Sequence, residues 1–235
     1  MKKTACILLT LCLALCVAGA ALAQEGPYDA ELDRLGGETL RLSDYRGKVL
    51  ILSMWATWCP GCIDEMPVLE TIQNEYPGEA AVLAVNAGEY EQDVAAFMEE
   101  AGYTFDVALD PEGVMLMDTF PSDYIPYLVV LDGRGYKVFD QVGSNKGLHD
   151  KLAEVIKANS PFLSDKASPL GEAAEGDMVT CKGAVAEVTE GGFTLTLEDG
   201  TAVICLFDGP APEAGSQAEV GGIYSGEGIE VTGIR

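Results

Sequence analysis

The hydrophobic pattern of this chain changes character twice. Val49 to Trp55 reads VLILSMW, a nearly continuous apolar run of strand length, as expected for a strand buried on both faces. Ala80 to Gly88, AAVLAVNAG, predicts a second strand of the same kind. Between them a helix is expected from near Cys59 through EMPVLETIQNEY, bent at Pro67, which offers no N–H and crowds the preceding turn. EQDVAAFMEEAG places Val94, Phe97 and Met98 at helical spacing and stops at Gly102. FDVALD predicts a short strand, EGVMLMDTF a short helix, and YLVVLDGRGYKVFDQVG a hairpin turning at Asp132-Gly133. The amphipathic NKGLHDKLAEVIKAN closes this part, and YDAELDRLGGETLRLSDYRGK opens it as a hairpin turning at Gly36-Gly37. Alternating strands and helices with a terminal hairpin and helix predict an α/β sheet with helices on both faces.

From Ser160 to Glu175 the periodicity is lost in a stretch rich in Pro, Ser, Gly and Ala, the pattern of a linker over 160–175. Beyond it, over 176–235, DMVTCKGAVAEV, GFTLTLED, TAVICLF, QAEVGGIY and GIEVTGI predict five short antiparallel strands. A unit of this size must close on itself or stack to protect its edges. Its pattern resembles a small OB-fold barrel, with Gly183 where the first strand would bend. Phe193, Phe207 and Tyr224 are its few aromatics and are expected in its core.

The N-terminus alters how cysteine is read. Lys2 and Lys3, an apolar run, then Ala21-Leu22-Ala23 before Gln24 follow the order of a secretory signal peptide over 1–23. The alternative is an uncleaved membrane anchor; a lipid anchor is disfavoured by Leu15 before Cys16. Export makes the mature protein extracytoplasmic, periplasmic or secreted, and leaves Cys59, Cys62, Cys181 and Cys205 where disulfides persist. The formal charge of −24 supplies no basic footprint for nucleic acid and suits a soluble monomer.

The chemistry gathers in WATWCPGCIDEMP, Trp55 to Pro67. Two cysteines at Cys-X-X-Cys spacing on a strand-to-helix junction suit thiol–disulfide exchange. Cys59 at the helix start would be favoured as a thiolate by the unsatisfied N–H groups and the dipole. Cys62, one turn on, could attack the mixed disulfide. A structural zinc would want a second close pair or two histidines, and His149 is the one histidine, so no metal and no cofactor beyond the dithiol is expected. A peroxide-reducing cysteine would want threonine and proline where Ala56 and Leu52 stand. Cys181 and Cys205 remain open between a structural disulfide, buried thiols and a second redox pair.

WATWCPGC with Glu65, Met66 and Pro67 resembles the TlpA/ResA-like branch of the thioredoxin superfamily. The likeness runs from about Tyr28 to Asn159 within a thioredoxin-like domain at 24–159, and takes in NAGE (Asn86 to Glu89) and IPYLVVLDGRG. The resemblance implies a thioredoxin fold and a cis peptide bond at Pro126 facing the cysteines. It also implies a slot between Ile125 and Cys59 for a substrate strand. Trp58, Pro60 and Gly61 would border that slot. Ser53 stands where cytoplasmic thioredoxins keep a buried acid, and Glu65 fits the family's substitute proton carrier for Cys62; read from the residues alone, Glu65 could equally be a solvated early-helix acid. Gly61 replaces the family's usual proline, so the reducing poise does not carry over unexamined. The resemblance thus implies an extracytoplasmic enzyme reducing protein disulfides, fed by a membrane thiol donor, with cytochrome c maturation among the family's roles. The alternatives are a disulfide-forming oxidase, or a binding protein working through its C-terminal module.

Overall fold

The computed structural model describes residues 27–164 and 167–235; the expected signal peptide, 1–23, lies outside them. Strands β1 (Glu31–Arg34), β2 (Thr39–Arg41), β3 (Val49–Trp55), β4 (Ala80–Ala87), β5 (Asp106–Asp110), β6 (Tyr127–Leu131) and β7 (Lys137–Val142) form one sheet. Their order is β2-β1-β5-β4-β3-β6-β7. Central β3 runs parallel to β4 and antiparallel to β6, so the sheet is mixed. Helices α1 (Pro60–Glu75), α2 (Glu91–Ala101) and α3 (Leu148–Asn159) complete an α/β unit. α1 keeps its span through Pro67.

Every residue of β3 is buried, as the unbroken apolar run requires. Alternate side chains point to opposite faces. Val49, Ile51 and Trp55 pack with Met66, Leu69 and Ile72 of α1, Val94 of α2 and Leu152 of α3. Leu50, Leu52 and Met54 pack on the other face with Leu40, Leu42, Phe120 and Tyr127. All three α-helices therefore lie on one face, which corrects the expectation of helices on both. The second face is closed by a 3-10 turn at Leu42–Tyr45 and a π-helical turn at Met115–Thr119. Pro121 and Pro126 follow this π-helical turn and keep it from continuing toward β6. The β6–β7 turn is also wider than expected. The Asp132 carboxylate accepts from the N–H groups of Arg134 and Tyr136, and Gly135, not Gly133, takes the positive φ of 90°.

The stretch read as a linker is structured in part. Ser168–Pro169 forms β8, paired parallel with β9 (Met178–Thr189), and Leu170 packs on the second core. Strands β10 (Gly192–Leu197), β11 (Ala202–Leu206), β12 (Gln217–Tyr224) and β13 (Ile229–Ile234) complete this unit. Pairing runs β9-β10-β11-β13-β12 and back to β9, so the sheet closes on itself and removes its edges. β11 and β13 are parallel, a departure from the all-antiparallel expectation. Alternation of apolar residues reports which face is buried and carries no strand direction. Gly183 pairs with both Leu197 and Ala218, at the point where β9 passes from one neighbour to the other. Phe193 and Phe207 meet edge-to-face in the barrel core, with ring centroids 6.4 Å apart. Among the described residues no helix is long and apolar enough to cross a membrane.

The barrel docks at the end of the first sheet where β3 and β4 begin. Arg46, almost wholly buried, donates to the Tyr28 carbonyl and pairs through Nε with Asp208 at 3.2 Å. Arg235 of the barrel pairs with Glu79, just ahead of β4, and lies 4.4 Å above the Phe162 ring. Gly133 comes so close to the barrel that a Cβ there would stand 1.8 Å from the Thr232 carbonyl oxygen. Cys59 follows the opposite end of β3, so the length of that strand, roughly 20 Å, separates the cysteines from this contact.

Gly133→Ala is expected to force the barrel away and weaken the joint by about 1–3 kcal/mol. Trp55 and Trp58 are the two tryptophans and both lie in the first unit, so fluorescence follows that unit while far-UV circular dichroism follows both. The two probes should coincide during thermal unfolding of the wild type and separate in the variant.

Candidate active site

The loop leaving β3 ends at Cys59, which caps α1. Its backbone is extended (φ −94°, ψ 104°), and its Sγ accepts from the Cys62 N–H at 3.2 Å. Pro60 takes the first helical position, where a missing N–H is harmless and the fixed φ suits the helix. Cys59 and Cys62 are joined as a disulfide with their Cα atoms 5.3 Å apart. The sulfur of Cys59 therefore sits at the positive end of a 16-residue helix. Such a position favours the thiolate on reduction.

The Ile125–Pro126 peptide bond is cis. Pro126 faces the dipeptide between the cysteines: a Cβ on Gly61 would lie 3.4 Å from Pro126 Cδ and 3.7 Å from Ser144 Cβ. The Ile125 side chain is partly buried and touches both cores of the sheet. Trp58 is 69% exposed beside the cysteines, whereas Trp55 is fully buried. The structure thus brings Trp58, Cys59, Pro60, Gly61, Ile125 and Pro126 to one pole of the molecule.

Glu65 lies one turn beyond Cys62 and is only 3% exposed, with Oε2 lacking a hydrogen-bond partner among the described residues. A solvated early-helix acid would look different on both counts. Burial raises its pKa from 4.5 to about 7. The residue lines a surface hollow of about 330 Å³ with Ser144, Asn145 and Lys146. Ser53 is buried in β3, and no carboxylate takes its place there.

A second carboxylate was not picked out by the sequence reading. Glu89, after β4, accepts from Thr57 N at 2.7 Å, Thr57 Oγ1 at 2.5 Å and Asn86 Nδ2 at 2.7 Å. Burial pushes its carboxyl up, but these hydrogen bonds outweigh that and hold it below the usual carboxylate range. The one signal in the chain was NAGE, read there as a family feature with no role attached.

Of the alternatives the sequence left open for Cys181 and Cys205, the structure holds them as free thiols. They lie on β9 and β11, which are not neighbours in the barrel. Burial raises Cys181 to about 11; burial and the neighbouring Cys181 raise Cys205 to about 12. Such thiols are poor nucleophiles near neutral pH. His149 is bound to Glu75 at 2.8 Å, which joins α3 to the end of α1. Among the described residues no cluster of three or more His, Cys, Asp or Glu is placed to hold a metal ion.

The elevated pKa of Glu65 has a definite sign in stability. A proton held more tightly in the folded state stabilises fully below pH 4.5, and that stability is lost as pH rises through about 7. Glu65→Gln removes the ionisation, so the oxidised variant should be more stable than wild type at pH 8 by roughly 2–3 kcal/mol. The gain should vanish by pH 4, read as urea midpoints at the two pH values.

A family profile described as the AhpC/TSA family matches residues 23–120. The thioredoxin-like protein YneN of Bacillus subtilis is 38% identical over 137 residues, 55% of this chain and 77% of its own length. The thiol-disulfide oxidoreductase ResA of Halalkalibacterium halodurans is 30% identical over 139 residues, 58% of this chain and 78% of its own. Among solved structures, a protein described as the thiol:disulfide interchange protein DsbE from Chlorobium tepidum superposes with a TM-score of 0.54. It is 27% identical and covers 58% of this chain and 96% of its own. The fold of the first unit is accordingly the thioredoxin fold. Likeness of this extent, over more than three quarters of each relative's length, makes the chain a member of the YneN- and ResA-like thiol-disulfide oxidoreductases.

Proposed function

We propose that the protein is an extracytoplasmic reductase of disulfides in other proteins. The observation that carries this is the buried, partnerless Glu65 one turn beyond Cys62, with a pKa of about 7. In the reduced enzyme the Cys59 thiolate attacks one sulfur of a client disulfide. The other client sulfur leaves as a thiolate and takes a proton from solvent. The Glu65 carboxylate then accepts the Cys62 proton, and the Cys62 sulfur attacks Cys59, expelling the second client thiolate. Two electrons pass to the client and the enzyme is left as the Cys59–Cys62 disulfide. A membrane dithiol donor returns the two electrons.

Three features support substrate placement at this pole. Trp58 is exposed, Pro126 faces Gly61, and the Ile125 peptide groups bond to no other backbone among the described residues. The reading of an exported, monomeric protein rests on residues 1–23 and on the formal charge of −24. The C-terminal unit is read as an OB-type barrel, supported by its closed order of five strands with one parallel pair. Its acidic surface favours a protein or small-ligand partner over nucleic acid. Gly61 between the cysteines favours a second reading, an oxidase using the same site.

Cys59→Ser is expected to abolish reduction of a protein disulfide, and Cys62→Ser to accumulate the mixed disulfide with the client, seen by non-reducing electrophoresis. Glu65→Gln should slow resolution about 100-fold. The direction is decided by the reduction potential of Cys59–Cys62. A value near roughly −270 mV supports the reductase, and one near about −120 mV the oxidase.

A further inference from the structure

We propose that Glu89 is a positioning residue that fixes Trp58 beside the nucleophile and thereby sets selectivity for polypeptide disulfides over small ones. The proposal rests on the reductase reading above.

The geometry follows from the register of two parallel strands. Trp55 of β3 stands beside Asn86 of β4, so the loops that leave these strands emerge together. One continues through Thr57 and Trp58 to Cys59; the other turns at Gly88, whose φ of 77° is available to glycine without strain, and brings Glu89 back toward the first. Both Glu89 oxygens are then used. Oε2 takes the Thr57 N–H and the Asn86 amide, and Oε1 takes the Thr57 hydroxyl. Asn86 is 1% exposed and part of β4, so the clamp is anchored in the sheet. No ion pair involves Glu89 among the described residues, and its three contacts are all donors to a carboxylate.

The two residues that follow Thr57 depend on this clamp unequally. Cys59 is held independently: its N–H donates to the Ala56 carbonyl, its carbonyl accepts from Ile63, and its sulfur caps α1. Trp58 is mostly exposed and, among the described residues, has no side-chain hydrogen bond or ring contact of its own. Its place is set by the backbone on either side. Releasing Thr57 therefore leaves Trp58 held only through the turn bond from the Cys59 N–H to the Ala56 carbonyl, while the cysteine pair keeps its helix. A small disulfide needs the sulfur alone; a polypeptide also needs a surface beside it. Exposed aromatics ordered in advance make such surfaces at low entropic cost.

The chemistry also distinguishes positioning from charge. In Glu89→Gln the amide oxygen can accept from Thr57 N–H and Asn86, and the amide nitrogen can donate to the Thr57 hydroxyl, which accepts as readily as it donates. Glu89→Ala can do neither.

The test uses the mature, pre-reduced protein and second-order rates of oxidation by insulin and by 5,5′-dithiobis(2-nitrobenzoate), followed as loss of enzyme thiols. Glu89→Ala should lose about tenfold more rate toward insulin than toward the small disulfide. Glu89→Gln should recover most of that loss. Trp58→Ala combined with Glu89→Ala should be no worse toward insulin than Trp58→Ala alone, because both act through one contact. Parallel losses for the two substrates, Gln behaving as Ala, or additive effects in the double variant would each overturn the proposal and leave the reductase reading standing. A wild type inert toward both substrates would overturn the reductase reading, and this inference with it.

Discussion

Burial of β3 on both faces is the constraint on which the site depends. A strand packed against α-helices on one side and against Leu40, Leu42 and Phe120 on the other cannot slip by one residue without exchanging its two sets of side chains. Its end is therefore fixed, and so is the point where the chain turns into α1. Cys59 inherits that rigidity as the cap of the helix, and the cis Pro126 reaches the cysteine pair because β6 is hydrogen-bonded to the same strand. Chemistry at the pole of the sheet follows from packing in its middle.

Two glutamates near the cysteines show how environment gives one side-chain type two proton affinities. Glu65 is buried with an oxygen that has no partner, and its proton affinity rises toward neutrality. Glu89 is only partly buried, meets three donors, and stays ionised. The first is suited to carrying a proton and the second to holding a loop. Their separation follows from where each backbone segment points, on the inner side of α1 or across the gap between two strand ends.

The barrel occupies the other pole. Its contacts with the first unit run through a buried Arg46, the Arg235–Glu79 pair and a close backbone approach at Gly133, all near the beginnings of β3 and β4. The barrel thus leaves the pole that carries the cysteines uncovered. Cys205, buried, and Cys181, partly buried, are free thiols within the barrel.

The chain by itself determined the strands, because continuous apolar runs and period-2 alternation report burial directly, and it determined the cysteine pair, because its spacing at a strand-to-helix junction is local. Glu65 was legible as a candidate for the same reason: three residues after Cys62 means one helical turn. What alternation could not supply was direction and partnership. The parallel β11–β13 pair, the gathering of all three α-helices on one face, and the pairing of Ser168–Pro169 with β9 were decided by contacts far apart in sequence. The state of Cys181 and Cys205 depends on which strands become neighbours in the closed barrel. Glu89 and Thr57 are 32 residues apart, and only the parallel register of β3 and β4 makes them adjacent. Local periodicity encodes what each segment buries; long-range pairing decides what it touches.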